Sequence, residues 1–283
     1  MLIGIGLYCR KHATDVNGFV LGGRSVGPWL TAFAYGTSYF SAVVFVGYAG
    51  QYGWKYGIAS TWAGIVSSII GSINEWVVLG RRTRIMSQHL DSATMPQYFG
   101  KRFGSNPLKI GASVIIFIFL IPYTASLYNG LSRLFGMAFN IDYSVCIIIM
   151  ATLTAIYVIA GGYMATAIND FIQGIIMLFG IVAVIAAVIH SKGGFMSALQ
   201  GLANVSAPAV SDTPGIFASF FGPDPFNLLC VVILTSLGTW GLPQMVQKFY
   251  AIDNEASIQK GTVISTIFAL IVSGGCYFLG GFG

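Results

Sequence analysis

What most constrains this chain is a recurrence: runs of roughly 20 apolar residues, such as 171–189, return again and again along it. A helix of that length crosses a hydrocarbon layer about 30 Å thick, so a chain built from such runs passes through a membrane many times. Composition agrees. Hydrophobic residues are 55% of the 283 and charged ones 8%, with a mean hydropathy of +0.77, which excludes a soluble domain.

The apolar pattern predicts spans 1 to 7 at about 28–50, 56–80, 109–139, 142–160, 164–190, 226–250 and 260–283. The opening run, 1–9, covers less than half a bilayer and lacks the charged start of a signal peptide. It resembles the tail of a further spanning helix.

Basic residues test the topology, because loops rich in Lys and Arg stay on the cytoplasmic side. With the link before span 1 inside, eleven of the 14 fall inside: Arg10, Lys11, Arg24, Arg81, Arg82, Arg84, Lys101, Arg102, Lys109, Lys248 and Lys260. Lys55 and Lys192 fall outside, and Arg133 belongs to span 3. The split places the N-terminus outside and explains the basic pI near 9 without nucleic acid. Trp29 and Trp76 then fall near the inner interface, and Trp54 and Trp62 near the outer one. Glu75, near the inner end of span 2, reads as an interface residue.

No enzyme signature emerges. Cys9, Cys146, Cys230 and Cys276 stand apart in apolar runs and read as small hydrophobic residues. His12, His89 and His190 sit near helix ends, without a metal or catalytic constellation. A carrier is expected, with no cofactor.

Span 1 poses the sharper question. In "YGTSYFSAVVFVGYAG", 35–50, the side chains Thr37, Ser38, Tyr39 and Ser41 cluster between Gly36 and Gly47 in the middle of an apolar run. Each hydroxyl can bond its own helix, and glycines also suit plain helix packing. Four polar side chains in five positions favour another reading: a helix interrupted near the midplane, whose freed carbonyl oxygens can hold a cation. Span 6 carries a matching weakness in "TSLGTWGLPQM", with Gly238, Gly241 and Pro243. Breaks five spans apart are the expected signature of a five-plus-five inverted repeat with a binding site between them.

These residues also carry a family likeness. "GFVLGGRSVGPWLTAFAYGTSYFSA" resembles the signature opening of the sodium/solute symporter family, among them sodium/proline and sodium/pantothenate symporters. "TMPQYFGKRF" resembles its loop after span 2, "AGGYMATAINDFIQGIIML" its span 4 to span 5 junction, and "GLPQMVQKFYAID" the inner end of its span 6. The resemblance implies an all-α integral membrane protein of the plasma membrane with the LeuT-like five-plus-five inverted repeat. Its expected divisions are the end of a leading helix and cytoplasmic link (1–27), a complete first repeat (28–190), an extracellular loop (191–225) and a second repeat truncated after its second helix (226–283).

The resemblance further implies a sodium site from the backbone carbonyls of Thr37 and Phe40 and the hydroxyl of Ser41, an arrangement suited to a hard cation. Asp170 matches an acidic residue on the cation's route to the cytoplasm, although an acid there can equally cap a helix start. Where sodium/proline symporters carry an aspartate in the break, this chain has Tyr39, and their span 6 tryptophan and tyrosine positions hold Thr235 and Thr239. The expected solute is therefore a small organic acid such as pantothenate or a short carboxylate, with an amino acid such as proline close behind. Tyr39, Tyr123, Thr239 and Trp240 are its expected lining. The expected mechanism is sodium-coupled import by alternating access, with solute, sodium and lipid as partners. Two other readings stay open: a symporter-like sensor domain of a larger signalling protein, and a partial chain. In the latter case the isolated 283 residues would not transport, because the family completes its sodium site from an eighth helix.

Overall fold

The structure, a computed structural model, describes residues 1–40, 47–206, 209–211 and 213–282. It begins with α1 (Leu2–Cys9) and α2 (Val16–Leu21), the latter started by Asp15, whose carboxylate accepts from the Gly18 N–H at 3.1 Å. Span 1 opens as α3 (Pro28–Tyr39), with proline at the position where its missing N–H costs least. At Phe40 the backbone leaves the helix, with φ −100° and ψ 60°. It is helical again as α4 (Ala49–Tyr56), which runs six residues past the expected end and stops at Gly57 with φ 64°.

Span 2 is α5 (Thr61–Val66), two wider π-helical turns (Ser67–Ile73 and Trp76–Gly80) and α6 (Arg81–His89). Thr94 caps α7 (Met95–Phe103), and Ser105 caps α8 (Asn106–Phe139), the 34-residue third span. Then α9 (Tyr143–Ser191) runs 49 residues, but Gly162 inside it has φ 56° and ψ −148°, which only glycine adopts readily. That residue turns one continuous apolar run into spans 4 and 5. After α10 (Phe195–Ala203), span 6 is α11 (Pro225–Leu237), a non-helical stretch 238–242, and α12 (Pro243–Ala251). Span 7 is α13 (Glu255–Ala269), a π-helical turn (Leu270–Gly274) and α14 (Gly275–Gly280). It starts five residues before the expected position because the Asn254 side chain accepts from the Ser257 N–H at 2.9 Å and nucleates the helix there.

By length and composition, four helices among the described residues are able to cross a membrane, and α11 is a shorter apolar one. Spans 1, 2, 6 and 7 share one core around Tyr35, Tyr39, Trp76, Phe249, Phe268 and Tyr277. α4 and α14 meet backbone to backbone, since a Cβ on Gly53 would collide with the Gly280 carbonyl and one on Gly280 with that of Ala49. In contrast, α8 turns Ile110, Phe117, Phe119 and Met137 outward and buries Ser132 alone among its residues, the surface expected of a helix in lipid.

Candidate functional site

Both interruptions open on one cavity of about 320 Å³. Its wall combines Tyr39 and Phe40 at the end of α3, Leu234, Thr235, Gly238 and Thr239 at the end of α11, Tyr48 and Tyr52 near and on α4, Ser67 of span 2, and Ser273 and Tyr277 of span 7. α3 and α11 each bring their C-terminal end to the cavity. Helix C-termini carry partial negative charge and carbonyl oxygens short of partners. Two of them converging where the wall has no charged side chain make a place for a cation.

Side chains hold the breaks against each other. The Tyr39 hydroxyl donates to the Thr235 carbonyl oxygen at 2.9 Å, tying α3 to α11. Trp240 Nε1 donates to the Gly71 carbonyl at 3.2 Å, tying the second break to span 2. Thr37 turns its hydroxyl back onto the Phe33 carbonyl at 2.9 Å, and Thr235 does the same to Val231 at 2.9 Å. By contrast Thr239 Oγ1 and Ser273 Oγ, both in the wall, and the neighbouring Ser236 Oγ are buried without a hydrogen-bond partner among the described residues. Towards the outer side, Tyr48, Tyr52 and Tyr277 stack in succession, with centroids 5.6 and 6.2 Å apart.

The inner end is tied differently. Arg24 donates to the carbonyls of Ser87, Ser92 and Tyr250, at 3.3, 2.9 and 3.4 Å. Burial, then the neighbouring charge of Arg84, push its pKa below the ordinary arginine value, a range high enough that it keeps its charge. Arg84 donates to the carbonyls of Ile252 and Asp253 at 2.6 and 2.9 Å, and Val26 pairs with the same turn through its N–H and carbonyl. The link before span 1, the end of span 2 and the turn after span 6 are thus fastened together.

Of the residues singled out in the sequence, Tyr39, Phe40 and Thr239 come together in the cavity wall, and Trp240 stands behind it on Gly71. Thr37 lies one turn before the break. Ser41 lies outside the described residues. Tyr123 is half-exposed on α8, whose neighbours are α7 and α9, and is not part of this wall. Asp170, on α9, approaches Lys248 of α12 at 3.9 Å, and the Lys248 ammonium lies 5.1 Å over the Tyr163 ring.

Two expectations fail. Glu75 is not an interface residue: it is 0% exposed, and Oε2 accepts from the Tyr35 hydroxyl at 2.7 Å. Trp76 likewise leaves the interface for the core, where it packs edge-on to Tyr35 and Phe249. The π-helical turns of span 2 change which face meets the bundle, and a regular helical period read from sequence misses this. Sequence reasoning also passed over Ser67, one of the adjacent pair Ser67 and Ser68, and Ser273, a lone hydroxyl in an apolar run.

A helical bundle with four helices able to cross a membrane among the described residues, and two interrupted helices opening on one cavity, defines an all-α membrane protein of the LeuT-like fold. A solved structure of the substrate-bound, outward-open state of a Na+-coupled sialic acid symporter superposes with a TM-score of 0.73 at 17% identity, covering 99% of this chain and 58% of that one. The sequence goes further than the fold: the model of the sodium:solute symporter family matches residues 19–283, and the chain belongs to that family. Among its relatives are the osmoregulated proline transporter OpuE of Bacillus subtilis, 29% identical over 94% of this chain and 53% of the relative, and a sodium/proline symporter of Staphylococcus aureus, 31% identical over 92% and 49%. The chain spans about half the length of the curated relatives it matches.

Proposed function

We propose that the protein is a sodium-coupled symporter that imports a small carboxylate-bearing solute by alternating access. One observation carries the reading: the two helix breaks face a single uncharged cavity with both carbonyl ends turned towards it. Sodium is placed at the α3 break, on the carbonyls of Thr37 and Phe40 with the Ser41 hydroxyl. The solute lies beside it against Tyr39 and Thr239, with Trp240 fixing the second break and Tyr123 at most a distant contributor. Asp170 stands on the inner route, where Lys248 holds it until the cation arrives. The bound cation offsets the carboxylate's charge in a site without a basic side chain. Inward sodium movement supplies about 2.3 kcal/mol per charge for each 100 mV of membrane potential. The names of the two relatives favour proline, while Thr235 and Thr239 favour a simpler organic acid.

The test is uptake of labelled proline, pantothenate and short carboxylates into vesicles containing the natural full-length protein. Accumulation of one of them only under an inward sodium gradient is expected. Accumulation that ignores sodium, or binding without any accumulation, would overturn the proposal.

A further inference from the structure

Among the described residues, Glu75 is the one fully buried carboxylate of the core that the proposed cycle does not use. It is 0% exposed, in span 2, among aromatic rings. Its Oε2 takes the Tyr35 hydroxyl at 2.7 Å, and its Oε1 is buried without any partner among the described residues. Among the described residues no basic side chain pairs with it, and Lys248 of α12 pairs instead with Asp170. From α3 come the phenols Tyr35 and Tyr39; from span 2 itself, Ser72 and Trp76; from α12, Phe249; from α13, Ser265, 3.4 Å from Ser72. The ion pairs among the described residues lie elsewhere, Arg81 with Glu255 and Lys248 with Asp170.

A bare carboxylate in such a place is prohibitively costly, and one phenol does not balance a full charge. Some cation must accompany it, and the described side chains around it supply none. We infer that Glu75 is a monovalent-cation site of the bundle, its charge balanced by a proton on the carboxyl or a sodium ion seated against Oε1, separate from the cavity at the breaks. The two sources share one chemistry, a small cation drawn to a buried carboxylate.

Geometry also links this site to the cavity. Tyr35 and Tyr39 are one turn apart on α3 with ring centroids 5.8 Å apart; the first bonds Glu75 and the second bonds Thr235 in the cavity wall. A shift of α3 that accompanies solute binding moves the donor on which Glu75 depends. Cation binding at Glu75 and solute binding at the breaks are therefore coupled, each changing the other's affinity by the same factor. This coupling, unlike the site itself, rests on the symporter reading.

The site is tested by infrared spectra of the lipid-reconstituted full-length protein, wild type minus Glu75→Gln, recorded at neutral pH with and without sodium. A protonated-carboxyl band that vanishes in E75Q assigns the proton. A carboxylate band that shifts on adding sodium and vanishes in E75Q assigns sodium. A Glu75 carboxylate indifferent to sodium, with no carboxyl band, overturns the inference. Tyr35→Phe is the second variant, used also if E75Q does not fold: it keeps the carboxyl, and removal of its donor must shift the same band. These spectra decide the site whether or not uptake occurs, so failure of the symporter reading stays distinguishable. Solute affinity then reads the coupling. It changes at least about fivefold more with that cation in wild type than in E75Q, which keeps only the dependence due to sodium at the α3 break; equal dependence in both removes the coupling.

Discussion

Around the link before span 1, Arg24 and Arg84 reach five backbone carbonyls, drawn from the end of span 2, the loop after it, the end of span 6 and the turn that follows. In the middle of the same bundle, among the described residues, one phenol and one indole tie the breaks to their neighbours, and three hydroxyls stand unpaired. The contrast separates holding from binding. Charge-assisted bonds to carbonyls make the inner closure firm, whereas a site that must take up and release a solute keeps its polar groups available.

Four substitutions press on that contrast, in falling order of effect. Arg84→Ala removes charged donors from the Ile252 and Asp253 carbonyls and is expected to destabilise the protein by about 3 kcal/mol or more, measured by unfolding in detergent. Lysine at 84 does not restore this, since it lacks the planar fork that serves two carbonyls. Gly280→Val forces α14 off α4 and is expected to cost about 1–3 kcal/mol in the same assay. Tyr39→Phe removes the bond to Thr235 and lowers stability by about 1 kcal/mol while raising the KM for uptake. Thr239→Val replaces a hydroxyl that has no partner among the described residues, so stability stays within about 0.5 kcal/mol, yet solute affinity falls about tenfold. If Thr239→Val instead unfolds the protein and leaves affinity intact, the separation of holding from binding is wrong.

Much of this arrangement was legible beforehand, for reasons that are local. Gly238 and Pro243 disfavour a helix wherever they occur, and the crowd of hydroxyls around Thr37 marks a segment ill suited to lipid, so both breaks showed in the sequence. The boundary between spans 4 and 5 was placed at 160–164, and Gly162 there makes the turn. What stayed hidden depends on packing between distant segments. Glu75 looks like an interface residue from its neighbours Arg81 and Arg82, and only the π-helical turns of span 2 and the approach of Tyr35 from 40 residues away put it in the core. Ser273 joins the cavity because span 7 crosses behind both breaks, a fact no window around it contains. Tyr123 erred the other way: an aromatic in span 3 is as good a candidate as Tyr39 until the structure sets α8 against α7 and α9.

The central claim is that the cavity between the breaks is where sodium and solute bind together. Its most direct test is a cysteine at Thr239, in a background with exposed Cys230 replaced by serine and Cys9, Cys146 and Cys276 left buried. The rate of thiol labelling is followed in the full-length protein as sodium and solute are added. Labelling that slows strongly only when both are present is the predicted result. A rate indifferent to them, in protein that still binds the solute, would place the site elsewhere and contradict the account.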